Sequence, residues 1–296
     1  MNNTENIVYL NGSYLPVEEA TISVMDRGFL FGDGIYEVIP IFGGKLLRAD
    51  EHLDRLQNSL NRISLSNPFD KNGWLEIFSS LIEKNSGEDR AIYLQISRGA
   101  YVKRDLAIQK KPLVSDSPTV HPTVFSMVLQ VTPPDIDVVS AGISVVTVDD
   151  FRWNACDIKS TSLVANVMLK QQAGDANVED AILIKNGLVT EGTASNVFLV
   201  KNNVLLTPPI GKQLLPGITR DLVIEIAKNN AIVVEERDIQ QAELATADEI
   251  WMTSSTREIA PVIKLNGEIV GSGAAGEMWK RMIDLYQQYK QVLRQT

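Results

Sequence analysis

The reactive side chains of this 296-residue chain lie in its polar segments, and none of them identifies a reaction by itself. Lys159 stands in CDIKS, Glu191 in TEGTASN and Arg55 in EHLDRL, while Lys103 and Arg104 belong to a longer polar stretch. A lysine amine can attack a carbonyl carbon, a carboxylate can hold a protonated nitrogen, and arginine binds anions by charge-assisted hydrogen bonds. These groups are far apart in the chain, so only the fold can bring them together.

Composition and motifs exclude several classes of function. With 28 basic and 37 acidic residues the net charge is −9, whereas nucleic-acid-binding surfaces are usually basic. One cysteine, Cys156, and two histidines, His52 and His121, provide neither a disulfide framework nor a multi-thiolate or histidine-rich metal site. We interpret Cys156 and His121 as structural or incidental, and His52 as a structural hydrogen-bonding residue. The glycine-rich segment FGDGIYE (31–37) precedes a strand instead of a helix, which argues against a dinucleotide-binding loop.

Hydrophobic periodicity predicts strands and amphipathic helices in the first half of the chain. Asn11-Gly12 predicts a tight hairpin turn, and the alternation over 91–97 predicts a half-buried strand. Asp50 and Asp70 are each placed to cap a helix. Residues 99–122 are polar and aperiodic, so we expect a long loop, which in a compact domain is usually functional or mobile.

The second half of the chain is richer in strands. Short apolar runs separated by turns predict these strands, and Thr219 is placed to cap a helix between them. The predicted fold class is therefore α+β in two lobes. We expect an N-terminal domain at 1–132, a linker at 133–140 and a strand-rich domain at 141–296 that carries the candidate lysine. Neither a signal peptide nor a run of roughly 18 apolar residues is visible, so we expect a cytoplasmic protein without membrane contact.

Six segments occur in an order and spacing that resemble one enzyme family. They are DRGFLFGDGIYEV (26–38), EHLDRL (51–56), CDIKS (156–160), TEGTASNVF (190–198), LPGITRD (215–221) and TSSTREI (253–259). Each motif is weak alone, but together they look like the class IV aminotransferases, which are pyridoxal-phosphate enzymes of fold type IV. The resemblance spans residues 7 to 265, and FGDGIYEV is most similar to the D-amino-acid aminotransferases.

The resemblance implies a role for each reactive group. Lys159 would bond to the aldehyde of pyridoxal phosphate and afterwards carry the proton from the substrate Cα as a general base. Glu191 would accept a hydrogen bond from the pyridine nitrogen and favour the protonated ring, which makes the ring an electron sink. Basic, backbone and hydroxyl donors would bind the cofactor phosphate, and the resemblance assigns this to Arg55, Ile218, Thr219, Ser254 and Ser255.

Recognition of the substrate carboxylate departs from the family pattern. Tyr36 matches a family tyrosine that contacts this carboxylate, and the family adds an arginine and, two residues later, a histidine on a loop after an Arg-Gly pair. Counted directly from that pair, the two positions hold Lys103 and Asp105. With one extra loop residue they hold Arg104 and Leu106. We favour Arg104, because only a guanidinium offers two parallel donors to a carboxylate, and the histidine is missing either way.

The resemblance therefore implies transamination between a D-amino acid such as D-alanine and a 2-oxo acid such as 2-oxoglutarate. A branched-chain L-amino-acid aminotransferase and an aminodeoxychorismate lyase stay open within the family, since its members share the lysine. A catalytically silent ligand-binding homologue is the alternative from another class, and the complete set of Lys159, Glu191 and Arg55 argues against it. The expected partners are small-molecule amino acids and 2-oxo acids, without nucleic acid. We also expect a homodimer, because family sites are completed by a loop of the neighbouring subunit, for which 99–122 is the candidate.

Overall fold

The computed structural model describes residues 6–108, 121–131 and 135–295. These residues contain both helices and strands, in runs and not in regular alternation, in agreement with the α+β prediction. Among the helices of the described residues, none is long and apolar enough to cross a membrane.

The chain divides into two compact units. The first comprises Met1–Val131 together with Ile158–Leu163, and the second comprises Thr132–Asp157 together with Val164–Thr296. The segment that contains the candidate lysine therefore packs with the first unit, although the chain before and after it belongs to the second. The predicted division at 133–140 placed this segment in the C-terminal domain. The hydrophobic pattern does not show that six residues of the second half of the chain pack with the first unit.

The first unit is a sheet covered by helices. Its strands and helices are β1 (Ile7–Leu10), β2 (Ser13–Pro16), α1 (Arg27–Phe31), β3 (Gly34–Phe42), β4 (Lys45–Leu46), α2 (Ala49–Arg62), α3 (Lys71–Lys84), β5 (Arg90–Ser97) and β6 (Thr123–Gln130). The strands of its described residues form one antiparallel sheet in the order β2-β1-β6-β5-β3-β4. The hairpin predicted at Asn11-Gly12 is confirmed, and both residues have positive φ angles, 50° and 97°.

The helices α2 and α3 bury one face of this sheet. α2 packs against β3, and α3 packs against β1 and β6. Alternate residues of a strand point to the same face, and Ile35, Ile39 and Leu94 are fully buried on the face towards the helices. Each such side chain stabilises the fold by roughly 1.5–3 kcal/mol.

The ends of the two helices test the cap predictions. The cap predicted for α3 is confirmed, since the Asp70 carboxylate accepts a hydrogen bond from the Gly73 N–H at 2.8 Å. The prediction for Asp50 is wrong: Arg48 precedes α2 in a left-handed conformation, and Asp50 lies inside the first turn. A carboxylate in that turn still interacts favourably with the helix dipole, which gives the same sequence signal as a cap.

The second unit is richer in strands, as predicted. Its elements are α4 (Ile136–Ser140), β7 (Ile143–Asp149), α5 (Val164–Asp175), β8 (Asp180–Lys185), β9 (Leu188–Gly192), β10 (Asn196–Lys201), β11 (Val204–Thr207), α6 (Ile218–Asn229), β12 (Val234–Glu236), β13 (Glu249–Ser254), β14 (Glu258–Leu265), β15 (Glu268–Ile269) and α7 (Glu277–Gln295). The sheet order is β12-β11-β10-β13-β14-β7-β8-β9, with β15 paired to β14. α4 occupies most of the predicted linker 133–140, whose first two residues lie outside the described ones.

Strand ends and a helix start of this unit carry the candidate residues. Glu191 lies near the end of β9, and Ser254 is the last residue of β13. Gly217 is the N-cap of α6, so Thr219 lies in the first turn and its predicted capping role is wrong. The inward face predicted for α6 is confirmed by the buried side chains of Leu222, Val223 and Ile226.

Candidate active site

Lys159 lies on a short segment that runs beside the start of β3 in the first unit. Its carbonyl oxygen accepts a hydrogen bond from the Tyr36 N–H at 3.0 Å, and its own N–H donates to the Ser59 hydroxyl on α2 at 3.2 Å. Two residues later, the Thr161 N–H donates to the Gly34 carbonyl at 3.0 Å. The backbone on both sides of the lysine is therefore fixed, although the lysine belongs to no regular element.

The side chain of Lys159 lies against an aromatic ring. Its Nζ atom is 4.3 Å from the centroid of the Tyr36 ring, a distance typical of a cation–π contact. The Tyr36 ring in turn stacks on that of Tyr93, with 5.9 Å between centroids. The predicted amine nucleophile and the predicted carboxylate-binding tyrosine are therefore neighbours.

Arg55 belongs to a buried charged cluster on the side of β3 that faces α2. Its guanidinium donates to both oxygens of Glu37, from Nε at 2.8 Å and from Nη2 at 2.7 Å. His52 Nδ1 lies 2.8 Å from the second oxygen, so the hydrogen-bonding role predicted for this histidine is confirmed. Burial opposes ionisation of Glu37, but the charge and hydrogen bonds of Arg55 outweigh it and lower the pKa of Glu37 to about 2. Burial lowers the pKa of His52.

The basic residues proposed for the substrate carboxylate lie on the described start of the predicted loop. Lys103 and Arg104 are both exposed. The Arg104 guanidinium carbon is 4.9 Å from the centroid of the Phe31 ring on α1, which gives this side chain a planar surface to lie on. The rest of the loop, 109–120, lies outside the described residues.

Arg27, which the sequence reasoning missed, connects this loop to α1. Its guanidinium donates to the carbonyl oxygens of Asp105 and, at 3.2 Å, Leu106. Asp33 fixes the arginine through a bond of 2.7 Å to Nε and is itself shared with the buried Arg98 at 2.8 Å. Arg27 and Arg98 are 71 positions apart in the sequence, so only the fold shows that they share Asp33.

Glu191 in the second unit is a buried carboxylate with three donors. One oxygen accepts from Arg152, and the other accepts from the Leu215 N–H at 3.0 Å and from the Asn196 side-chain amide at 3.4 Å. Burial raises the pKa of Glu191, and the charge of Arg152 counteracts this only in part. The carboxylate is therefore oriented by its donors and retains a high affinity for a proton.

Arg152 is itself held by a second carboxylate. Its Nε and Nη2 donate to the two oxygens of Asp150, at 2.9 and 2.8 Å. Asp150 also accepts from the Thr190 hydroxyl at 3.0 Å, one residue before Glu191. Sequence reasoning missed both residues, because Arg152 precedes Glu191 by 39 positions and only the fold places them in contact.

The start of α6 has features of an anion-binding helix N-terminus, and the loop before it contacts Glu191. Its N-cap, Gly217, offers no side chain to the first-turn N–H groups, and a Cβ atom there would lie 1.9 Å from the Asn196 Oδ1. Ile218 and Thr219 follow in the first turn, and both are buried. The first N–H groups of a helix have no partner within the helix, and together with the helix dipole they favour a negative group at such a position.

Hydroxyl groups at the end of β13 add further donors. Ser254 and Ser255 are half-buried at the turn into β14. The neighbouring Thr253 pairs with Asn196 across the sheet, and its buried Oγ1 has no hydrogen-bond partner within the described part of the chain. A buried hydroxyl of this kind is costly unless it meets a polar ligand.

The predicted site residues thus fall into one group per unit. The first unit holds Lys159, Tyr36, Arg55, Lys103 and Arg104, and the second holds Glu191, Ile218, Thr219, Ser254 and Ser255. Within the first group, Lys159 contacts Tyr36. Within the second, the Leu215 N–H connects Glu191 to the loop that enters α6.

Sequence comparisons cover nearly the whole chain. The pattern of the family described as "Amino-transferase class IV" matches residues 34–265. The D-alanine aminotransferase of Bacillus licheniformis is 38% identical over 275 residues, which cover 93% of this chain and 94% of that protein. The D-alanine aminotransferase of Staphylococcus aureus (strain COL) is 35% identical over 282 residues, which cover 95% of this chain and 97% of that protein.

Solved structures of the same fold give a second comparison. The crystal structure of the Escherichia coli branched-chain amino acid aminotransferase has a TM-score of 0.84 at 25% identity and covers 96% of this chain and 94% of its own. The T.th. branched-chain amino acid aminotransferase, complexed with N-(5'-phosphopyridoxyl)-L-glutamate, has a TM-score of 0.84 at 26% identity and covers 97% of this chain and 94% of its own.

Proposed function

Because this chain belongs to the class IV aminotransferases, we propose that it is a pyridoxal-phosphate-dependent enzyme that moves an amino group between a D-amino acid, such as D-alanine, and a 2-oxo acid, such as 2-oxoglutarate. The observation that carries the proposal is the Lys159 amine, fixed beside β3 and 4.3 Å from the Tyr36 ring. The names of the relatives that are 35% and 38% identical support D-alanine as the donor.

Each unit by itself holds donors of the kind that bind parts of pyridoxal phosphate. In the second unit, the first turn of α6 and the hydroxyls of Ser254 and Ser255 would hold the phosphate, and the otherwise unsatisfied Thr253 hydroxyl supports this assignment. In the first unit, Arg55 would contribute a positive charge to the phosphate. When bound, the cofactor supplies an electron sink for the charge that develops at the substrate Cα.

Lys159 and Glu191 would then perform the proton transfers. The Nζ atom of Lys159 would take the proton from the substrate Cα, and the fixed backbone of its segment limits where this amine can move. Glu191 would hold a proton on the pyridine nitrogen, for which its orientation by Arg152 and the Leu215 N–H is suitable. A positive charge on the ring nitrogen would favour the ionised form of Glu191 and so oppose the rise in its pKa that burial causes.

Tyr36 and Arg104 would bind the substrate carboxylate. The support for Arg104 is its guanidinium on the Phe31 ring and the attachment of its loop to α1 by Arg27. Lys103 stands beside it without such a contact among the described residues. A planar guanidinium held in one orientation can present two donors to a carboxylate, whereas an ammonium cannot.

A homodimer and a cytoplasmic location are further parts of the proposal. The first unit exposes 70% of Val24, 69% of Phe29, 72% of Val102 and 75% of Leu106, on α1 and the segments beside it. Exposed apolar surface of this kind marks interaction sites, and a second copy of the chain is the partner we propose. Sedimentation of an active monomer at assay concentration would exclude the dimer, and cell fractionation tests the location.

A comparison of three substrates tests the proposed activity. The purified protein, supplied with pyridoxal phosphate and 2-oxoglutarate, is offered D-alanine, L-leucine or aminodeoxychorismate in separate reactions, with Lys159→Ala as the inactive control. We expect D-alanine to react fastest. A preference for L-leucine would favour the branched-chain alternative, which the names of the similar solved structures support.

A further inference from the structure

Asp180, at the start of β8, is a buried carboxylate that contacts two separate turns of the second unit. It is only 2% exposed. One oxygen accepts a hydrogen bond from the Thr193 hydroxyl at 2.5 Å, and the other accepts from Arg257 Nη1 at 2.7 Å. Thr193 is 13 residues and Arg257 is 77 residues away in the chain, so each bond is a contact made by the fold.

The first contact holds the bend that follows β9. This bend, 193–195, begins two residues after Glu191, the residue proposed to meet the pyridine nitrogen. The backbone of this bend is also held by Asn166 on α5, whose side-chain amide donates to the Thr193 carbonyl at 2.8 Å. A displaced bend would therefore move the end of the strand that carries Glu191.

The second contact holds the turn between β13 and β14. Arg257 closes this turn, and its N–H donates to the Ser254 hydroxyl at 3.2 Å. Ser254 and Ser255 are the hydroxyl residues proposed to meet the cofactor phosphate. Because Asn196 pairs with Thr253, the bend before β10 and the turn after β13 lie at the same end of the β10–β13 pair.

We propose that Asp180 is a positioning residue that holds the pyridine-nitrogen side and the phosphate side of the cofactor site at a fixed spacing, through its two bonds to Thr193 and Arg257. The inference rests on the proposed function, since it concerns the site for pyridoxal phosphate. Each oxygen of one rigid carboxylate serves a different turn, so loss of one bond should affect one side of the site.

Single substitutions distinguish the contribution of the Arg257 bond from that of the Thr193 bond. In Asp180→Asn the remaining oxygen should keep the place where it accepts from Thr193 and from the Ala181 N–H, so the amide NH2 faces the Arg257 guanidinium and cannot accept its hydrogen bond. Arg257→Met removes the same bond from the turn itself, and Arg257→Lys keeps the charge. Thr193→Val removes the other bond. Lys170→Ala is the matched control, because its Nζ lies 3.8 Å from the same carboxylate but its helix, α5, carries neither turn.

The measurement is the dissociation constant of the cofactor-free protein for pyridoxal phosphate and for pyridoxal, which lacks the phosphate. We expect Asp180→Asn and Arg257→Met to raise the dissociation constant for pyridoxal phosphate about tenfold and that for pyridoxal little. The reason is that the lost charge-assisted bond supports only the phosphate side of the site. Arg257→Lys should recover part of the loss. Thr193→Val should raise both dissociation constants by the same factor, and Lys170→Ala should change neither.

The ratio of the two dissociation constants distinguishes positioning from general stability. If Asp180→Asn and Arg257→Met keep the wild-type ratio, whether or not their melting temperatures fall, the inference is overturned and the proposed function stands. Should Asp180→Asn fail to fold, the ratio in Arg257→Met decides alone. A wild-type protein that binds neither compound would overturn the proposed function and the inference together.

Discussion

Replacement of Arg152 by methionine tests the account of the Glu191 site in the absence of any cofactor. The arginine side chain is 4% exposed, and its guanidinium serves Asp150, which is 0% exposed, and Glu191, which is 7% exposed. Methionine fills much of the same volume with apolar atoms and removes the charge. The buried carboxylates of Asp150 and Glu191 would then lose the cation that they share.

The expected effect follows from this loss of charge compensation. Removal of one partner from a buried ion pair costs about 3–5 kcal/mol, since the remaining charge loses its compensation but stays desolvated. Glu191 responds by binding a proton, because burial already raises its pKa and Arg152 is the main counteracting charge. We therefore expect Arg152→Met to lose about 3 kcal/mol of unfolding free energy at neutral pH, out of the ~5–15 kcal/mol usual for a protein.

The assay is urea unfolding of the cofactor-free protein, with Arg237→Met as the matched control. Arg237 also donates to both oxygens of one carboxylate, Glu243, at 3.0 and 2.7 Å. Its side chain is 39% exposed and that of Glu243 is 32% exposed, so solvent screens the pair and the control should lose no more than ~1 kcal/mol. Equal losses in the two variants would refute the reasoning.

Three further predictions concern binding, catalysis and acid stability. Arg104→Ala should raise the KM for substrate about ten- to a hundredfold and leave the cofactor spectrum unchanged, whereas Lys103→Ala should cost much less. Glu191→Gln should retain the cofactor but slow proton transfer severely in single-turnover kinetics, because a neutral amide cannot hold the ring nitrogen protonated as well. Stability should fall between pH 4.5 and about 2, since the folded pKa of Glu37 is lowered from 4.5 to about 2 and the unfolded chain binds the proton first.

Each of these predictions has a contradicting outcome. A larger KM effect for Lys103→Ala than for Arg104→Ala would support the direct count along the loop. Unchanged single-turnover rates in Glu191→Gln would give this residue another role. For acid stability, urea unfolding is repeated across the pH range with Glu37→Gln as the comparison; a wild-type pH slope no steeper than that of the variant would exclude Glu37 as its source.

The fold could be predicted where local patterns decide it. The Asn11-Gly12 turn and the Asp70 cap depend on a few neighbouring residues, and both are confirmed. The Asp50 and Thr219 caps are each wrong by two positions, since the N-caps are Arg48 and Gly217 and both predicted residues lie in the first turn. The segment Ile158–Leu163 could not be assigned to the first unit, since its contacts there are made by backbone groups that carry no sequence signal.

The residues of the candidate site could be predicted only because six sequence segments occur in the order and spacing of a known family. The resemblance named the residues proposed to touch the cofactor, such as Lys159 and Glu191. It did not indicate the buried residues that orient them, because Arg152, Asp180 and Glu37 act through pairings distant in the chain. A single charged residue in a sequence is normally expected to be exposed to solvent, and only the fold shows that these three are buried and paired.

The central claim is that Lys159 is the amine that bonds to pyridoxal phosphate. The most direct test loads the purified protein with the cofactor, reduces the bond between lysine and cofactor with borohydride, and locates the added mass by peptide mass spectrometry. We expect a phosphopyridoxyl group on the peptide that contains Lys159. In Lys159→Ala we expect neither this group nor the visible absorption. A stable adduct on a different lysine, or no adduct in the wild-type protein, would contradict it.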